Sequence, residues 1–247
     1  MDTTPRNTIL NKISFYALLI TAGVLPVFFI PGIHLDVMTA KNYFLVVGIA
    51  VSLIFWILAR LKDGSFEIPK SPLLYIGGGV VFAYILSGIF SPATAVSFSG
   101  SSFEVGTVYS SIALFTLFFL GMYHFRTTAK ISLLYMLLFG GFVLAFVFQT
   151  AFLFLGPNHL ALGTFTQTIS SLIGSWNDMG IYFGLIAVLS LLTLELFKIK
   201  SLYRSILTGA LVVSLAYLAL VNFVPAWIVL GAVSLVIFVY LLTVKRA

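Results

Sequence analysis

Trp176, Asn177 and Asp178 stand side by side in the stretch IGSWNDMGIYFG, where an indole, an amide and a carboxylate interrupt apolar sequence. Such a group could contact a polar substrate. It also fits a helix start, because Ser175 as the N-cap and Asp178 three residues later form a capping-box pattern, and an acid is favoured at the positive end of the helix dipole. Trp176 would then lie in the aromatic belt at headgroup depth. Both interpretations are open at the level of sequence.

Other polar residues that could bind a substrate or do acid–base chemistry are scattered along the chain, among them His34 and Asp36. No two stand at a recognised spacing for metal ligands, so the sequence predicts no metal site. His159, which follows Gly-Pro-Asn, also fits an amphipathic residue at the membrane interface. No catalytic residue is assigned, and the candidates for substrate binding are Trp176, Asn177, Asp178, His159, Glu104 and Lys41.

The composition restricts the class of protein. Of the 247 residues, 61% are hydrophobic and 8% are charged, and the mean hydropathy is +1.15. A soluble domain carries about 25% charged residues, so these values indicate a polytopic membrane protein. The net charge of +6 comes from short basic clusters between apolar runs, which is typical of orientation by anionic lipid and not of nucleic-acid binding. Cysteine is absent, which excludes disulfides and thiolate chemistry.

Eight apolar segments have the length of a membrane-spanning helix, which is about 20 residues and about 17 at the short end. Each is continuously apolar, and a helix in lipid satisfies its backbone hydrogen bonds within its own segment. The sequence therefore predicts an all-α polytopic transmembrane helix bundle, with residues 1–247 as a single transmembrane domain. The first segment is interpreted as a retained span, since no cleavage motif is evident after it. The predicted spans are 13–30, 42–59, 73–90, 108–124, 131–155, 180–197, 205–223 and 226–244.

The basic residues divide unequally between the two sides of such a bundle. Lys41 alone falls on one side and the other twelve Lys and Arg residues fall on the opposite side. Because cytoplasmic loops carry the excess of basic residues, this division predicts that both termini are cytoplasmic. The twelve are Arg6, Lys12, Arg60, Lys62, Lys70, Arg126, Lys130, Lys198, Lys200, Arg204, Lys245 and Arg246.

Two long outer loops, 91–107 and 156–179, are rich in Ser, Thr and Gly and contain no Lys or Arg. Long polar loops on one face are where a site is commonly built. Apolar residues at roughly helical spacing between Leu160 and Ile173 predict that part of the second loop lies as a short helix along the membrane surface. Gly79, Ala83 and Ser87 lie four residues apart and predict a helix face that packs closely. Gln149 and Thr150 are expected to form hydrogen bonds between helices.

Three segments resemble the O-antigen ligase and polymerase-like membrane glycosyltransferases. LIGSWNDMGIYFGLIAVLSLL resembles the start of their core region, SPATAVSFSGSSFEVGTV looks like their outer loop, and NFVPAWIVLGAVSLVIF is similar to a span that the family begins with Arg-Gly-Ala-Trp. The resemblance implies metal-independent, inverting glycosyl transfer at the outer leaflet. The donor would be an undecaprenyl-diphosphate-linked saccharide, the acceptor a sugar or lipid hydroxyl, and no cofactor would be needed.

This chain departs from the family pattern in ways that bear on catalysis. Val224 stands where the family has the Arg before Gly-Ala-Trp, and the family's C-terminal outer loop with an Arg and a His has no counterpart in these residues. A departing diphosphate needs cationic or N–H stabilisation, and Lys41 is the single outer cation. We therefore expect that catalysis needs a missing C-terminal half or a protein partner that supplies it.

The sequence thus predicts a multi-pass protein of the bacterial inner membrane that handles polyprenyl-diphosphate-linked glycan in polysaccharide assembly. Its predicted partners are membrane lipid, this glycan donor and the protein that supplies the missing half. Two alternatives are a non-catalytic membrane scaffold or assembly subunit, and a transporter of lipid or small solutes. The scarcity of ionisable residues inside the spans weakens ion-coupled transport.

Overall fold

The computed structural model describes residues 9–32, 36–64, 66, 69–100, 104–160, 162–165 and 170–244. His34 therefore lies outside the described residues. The described residues form helices joined by turns and loops, with a 3-10 helix at Leu25–Val27 and one isolated β-bridge between Ser171 and Gly174. The helices are α1 (Ile9–Val24), α2 (Val37–Asp63), α3 (Pro72–Ile89), α4 (Thr94–Ser99), α5 (Val108–His124), α6 (Thr128–Leu155), α7 (Pro157–Leu160), α8 (Trp176–Leu196), α9 (Ser201–Val221) and α10 (Val224–Val244).

A helix coincides with each of the eight predicted spans. Seven helices among the described residues are long and apolar enough to cross a membrane, while α5 is apolar but shorter, with 17 residues. The all-α prediction is confirmed in this coarse sense, and the chain is a multi-pass membrane protein. The count of eight spans, the location of both termini and the single-domain assignment stay predictions.

The chain divides into two compact units. Unit 1 comprises Met1–Ile30 and His34–Leu138, and unit 2 comprises Pro31–Ile33 and Phe139–Ala247. Helix α6 contributes residues to both, since the division falls after Leu138. Lys41 and Glu104 of the predicted site belong to unit 1, and the other predicted residues belong to unit 2.

In unit 1, α1 packs closely against α2. A Cβ atom on Gly48 would overlap the Thr21 side chain, so only a glycine lets the two helices approach this far. Glycine and other small residues permit close backbone approach in lipid, where the hydrophobic effect does not drive helix association. The adjoining core contains Leu18, Ile49, Trp56, Leu120 and Tyr123, which come from α1, α2 and α5.

The predicted packing face of α3 contacts no other helix among the described residues. Gly79, Ala83 and Ser87 are all exposed in the structure. Helix α3 instead approaches its neighbours through Gly77, where an added Cβ would meet Phe115 at 3.1 Å, and through Gly88, where it would meet Val108 at 2.8 Å. The spacing of four residues therefore identified a face of small residues, but α3 packs against its neighbours in unit 1 through a different face.

In unit 2, α8 and α9 pack side by side and α10 packs on α8. The rings of Phe183 and Tyr217 stack with a centroid separation of 4.5 Å. Thr150 of α6 shares a hydrogen bond of 2.7 Å with the Tyr217 hydroxyl, which confirms the expected bond between helices. Gln149 Nε2 donates over 3.5 Å to the carbonyl of Ser170, in the segment before α8.

The loop predicted to contain a short surface helix is described only in part, and its residues 162–165 and 170–174 are not helical. Residues 162–164 form a turn and 171–174 form a second turn. Phe165, Leu172 and Ile173 are buried, and the Phe165 ring lies 5.0 Å from the ring of Phe148. These three apolar residues of the loop therefore pack into unit 2, whereas Leu162 is exposed.

Candidate functional site

The polar start of α8 is a complete capping box. The Ser175 hydroxyl accepts from the backbone N–H of Asp178 at 3.2 Å, and Asp178 Oδ2 accepts from the backbone N–H of Ser175 at 2.9 Å. The same carboxylate oxygen also accepts from the Ser175 hydroxyl at 2.6 Å. Two otherwise unpaired N–H groups of the first turn are satisfied in this way, and the helix-start interpretation is confirmed.

The turn before α8 fixes where this capping box lies. The hydroxyl of the buried Ser171 donates to the Gly174 carbonyl at 3.0 Å, and Gly174 has a φ of 138°, which favours glycine. Asn177 is exposed and Trp176 is half-buried. The amide of Asn177 is therefore presented on the surface, while the Asp178 carboxylate is engaged in capping. Substrate contact by these residues stays a prediction.

An apolar groove of about 430 Å³ lies on the C-terminal side of this polar start, between α8 and α10. Ile181, which follows Asp178 by less than one helical turn, lines it together with other residues of α8 and with the beginning of α10. Gly184 keeps the helices close here, since a Cβ at that position would lie 3.3 Å from the Cβ of Ala226. The groove is lined by Ile181, Leu185 and Val188 on one side and by Phe223, Pro225 and Val229 on the other.

The remaining predicted residues have separate surroundings. Lys41 is buried, and its Nζ donates to the carbonyl of Pro26. Glu104 is exposed, and its backbone carbonyl accepts from the Thr107 hydroxyl at 2.9 Å near the start of α5. His159 is exposed, with its Nδ1 at 3.0 Å from the carbonyl of Leu155 one turn earlier. Their roles in substrate binding stay predictions.

Unit 1 contains a second polar region, which joins three helices. The hydroxyl of Ser14 on α1 donates to the Ser52 carbonyl of α2 at 2.8 Å, and the Ser52 hydroxyl donates back to the Ser14 carbonyl at 2.9 Å. His124, the last residue of α5, places its Nε2 at 2.8 Å from the Ser14 hydroxyl oxygen. All three side chains are buried. We call Ser14, Ser52 and His124 the polar junction.

The direction of these bonds decides what chemistry the polar junction can do. A hydroxyl has one proton, and the Ser14 oxygen has three neighbours within hydrogen-bond distance, the Ser52 carbonyl, the Ser52 hydroxyl and His124 Nε2. The tautomer of His124 sets which group donates in the bond between His124 and Ser14. A serine nucleophile needs the histidine nitrogen as an acceptor. The arrangement resembles a catalytic Ser–His pair in residue type, and its hydrogen bonds connect α1, α2 and α5.

A basic cluster lies next to the polar junction. Arg60, near the end of α2, is 2% exposed, and its Nη2 donates to Asp63 at 2.9 Å and to Asn11 of α1 at 3.1 Å. Its guanidinium carbon lies 5.5 Å from the ring centroid of Tyr123. Burying a charge is costly unless it is paired and hydrogen-bonded, and Asp63 supplies that partner.

Two further cations join Arg60 in this cluster. The guanidinium carbon of Arg126 lies 5.1 Å from the centroid of the same Tyr123 ring, and Lys130 Nζ lies 4.8 Å from the ring centroid of Phe15. Distances of this size allow cation–π attraction. Arg126 is exposed and Lys130 is half-buried, so the cluster extends from the interior of unit 1 to its surface. The basic cluster is Arg60, Arg126 and Lys130.

The sequence did not single out the polar junction or the basic cluster. The sequence indicates Arg60, Arg126 and Lys130 only as cytoplasmic charges, and no local motif contains Ser14, Ser52 or His124. A usable signal is the occurrence of Ser and Arg inside strongly apolar helical segments, since such residues in spans commonly face other helices. Their partners lie on other helices and therefore cannot be read from local spacing.

Neither region suggests a metal centre, since no group of three His, Asp or Glu residues that could hold an ion occurs in the described part of the chain.

Comparison of the chain with known protein families, with curated proteins and with solved structures gives no match.

Proposed function

We propose that this protein holds a polyprenyl-diphosphate-linked glycan at the outer leaflet of a bacterial inner membrane, for use in cell-surface polysaccharide assembly. The observation that supports the proposal most is the apolar groove of about 430 Å³ beside the polar start of α8. A volume of this size is typical of sites for small molecules and cofactors. In the proposed complex the isoprenoid chain occupies the groove and the saccharide lies near Trp176 and Asn177.

The two parts of such a lipid need opposite surroundings. An isoprenoid chain is apolar, and the six groove residues named above are apolar as well. A saccharide needs hydrogen-bonding partners, and the exposed amide of Asn177 supplies both a donor and an acceptor. The half-buried Trp176 offers a ring face with a polar N–H. The resemblance to the O-antigen ligase-like glycosyltransferases rests partly on this same stretch and is the source of the proposed donor.

The groove explains donor binding better than it explains glycosyl transfer. A departing diphosphate needs positive charge, and the described basic residues of unit 2 are Lys198, Lys200 and Arg204, which lie beyond the opposite end of α8. Asp178 adds negative charge near the groove. In the proposal, the cation for the diphosphate and the base for the acceptor hydroxyl come from a further segment or a protein partner.

The proposal can be tested by filling the groove. Val229 lines it and is exposed to lipid, so Val229→Trp should occupy the space of the isoprenoid chain. We expect the variant to bind a polyprenyl-diphosphate-linked saccharide about tenfold more weakly, as the cost of overpacking implies. Native mass spectrometry of the protein in a neutral detergent measures the retained donor.

The neighbouring residue gives the matched control. Ile228 is similarly exposed on α10 but does not line the groove, so Ile228→Trp should bind the donor as the wild type does. Failure of the wild-type protein to retain any donor would exclude the proposed function. Equal retention by Val229→Trp and Ile228→Trp would exclude the groove as its site.

A role as a non-catalytic assembly subunit is the second candidate, and the exposure of two spans favours it. Only 6% of the span in α3 and 11% of the span in α10 are buried within the chain. Such faces contact lipid or another protein. A protein that retains no donor, but is recovered from membranes in a complex from which α3 or α10 variants dissociate, would support this candidate instead.

A further inference from the structure

We infer that the basic cluster of unit 1 is a binding site for the phosphate-bearing headgroup of an anionic phospholipid. This site is independent of the groove beside α8, since all of its residues belong to unit 1. Its position follows from four helix ends, because α1 and α6 begin there and α2 and α5 end there. The distribution of basic residues predicts that this end of the unit is cytoplasmic.

The charges of the cluster are not balanced within the described residues. Arg60 has Asp63 as its partner at 2.9 Å, and this is the one ion pair in the described part of the chain. Arg126 and Lys130 each lie over an aromatic ring, and no carboxylate of a described residue pairs with either. Both are accessible at the surface of the unit. The cluster therefore presents two positioned positive charges beside a third that is buried.

Two buried donors next to these charges also lack acceptors. Arg60 Nε and Trp56 Nε1 are buried, and no acceptor lies within hydrogen-bond distance of either in the described residues. The Trp56 ring lies 5.6 Å from that of Tyr123, which is the ring that Arg60 and Arg126 share. Buried donors without partners are costly, and an anionic oxygen would satisfy them.

The geometry suits a phospholipid better than a free anion. Cytoplasmic leaflets rich in anionic lipid attract basic residues near helix ends, and pockets of Lys and Arg between helices bind anionic headgroups. The rings of Phe15 and Tyr123 are buried, and they hold Lys130 and Arg126 in place at the surface of the unit. The cations are therefore positioned at the end of the helices where the headgroups of a cytoplasmic leaflet lie.

The site can be tested with substitutions that leave the buried residues in place. Arg126→Gln and Lys130→Gln together remove the two accessible charges. In a neutral detergent we expect this double variant to bind phosphatidylglycerol about tenfold more weakly than the wild type does, since each basic residue adds to the attraction. Native mass spectrometry counts the bound lipid, with phosphatidylcholine as the zwitterionic comparison.

The chain offers a control with the same change of charge. Lys200→Gln and Arg204→Gln together remove one exposed Lys at the N-cap of α9 and one exposed Arg in its first turn, on the same predicted side of the membrane. This control should bind phosphatidylglycerol as the wild type does. An equal loss in both double variants would reduce the effect to net charge and overturn the proposal.

Competition with inorganic phosphate distinguishes a site for a phospholipid headgroup from a site for free phosphate. The expected result is that phosphate does not displace phosphatidylglycerol from the wild-type protein. Displacement by phosphate, or unchanged binding of phosphatidylglycerol by the Arg126→Gln and Lys130→Gln double variant, would contradict a lipid site at the basic cluster.

Discussion

Two serines of this protein form hydrogen bonds that differ in sequence separation, one with a near neighbour and the other with residues far along the chain. Ser175 bonds to Asp178, three residues away, and together they start α8. Ser14 bonds to Ser52 and His124, which are 38 and 110 residues away, and together they join α1, α2 and α5. The first arrangement depends on the backbone of one helix, whereas the second exists only when three helices have packed.

This difference in sequence separation explains why the hydrogen bonds of Ser175 could be predicted from the sequence and those of Ser14 could not. A capping box is defined by residue types at a fixed spacing, so the sequence predicted the bonds of Ser175 and Asp178. The polar junction and the basic cluster have no such spacing. They arise because packing at Gly48 brings α1 against α2, and that approach is specified by the shape of both helices.

The largest effect is expected at Ser14. Ser14→Ala removes the hydroxyl that Ser52 and His124 contact and leaves the buried His124 Nε2 without that partner. Leaving a buried polar atom unsatisfied costs about 1–3 kcal/mol, and side-chain bonds in membranes reach about 1.7 kcal/mol, so we expect a loss of about 2 kcal/mol. Thermal or denaturant unfolding in detergent micelles measures it.

A double-mutant cycle separates this bond from general packing. If the account is right, Ser14→Ala and His124→Phe should not be additive, with a coupling energy of about 0.5 kcal/mol or more. Additive effects would show that Ser14 and His124 stabilise the protein separately, and the contrast between the two serines would then disappear.

A smaller effect is expected at Ser175. Ser175→Ala removes one half of the capping box, which typically costs about 1 kcal/mol. Asn177→Ala is the control in the same turn, because Asn177 is exposed and outside the capping box, so it should change stability by less than about 0.5 kcal/mol. The same unfolding measurement applies. A larger loss for Asn177→Ala than for Ser175→Ala would contradict the capping assignment.

The fold as a whole was more predictable than its contacts. Continuous apolar runs fix helices in lipid, so each predicted span coincides with a helix. Apolar residue type alone does not predict where Leu172 and Ile173 lie, because the interior of unit 2 and the membrane interface select the same residue types. Both side chains are buried in unit 2. Gly79 illustrates a similar difficulty. Small residues on one face of a helix permit close packing, but they do not identify the helix that packs there, and Gly79 is exposed.

The orientation of the helices underlies both proposals and can be measured directly. The chain has no cysteine, so single cysteines can be introduced without background. Ala95 on α4 and Lys62 near the end of α2 are both exposed in unit 1. We predict that Ala95→Cys reacts with an impermeant thiol reagent in intact cells and that Lys62→Cys reacts only after the membrane is opened. Labelling of Lys62→Cys in intact cells would contradict the account.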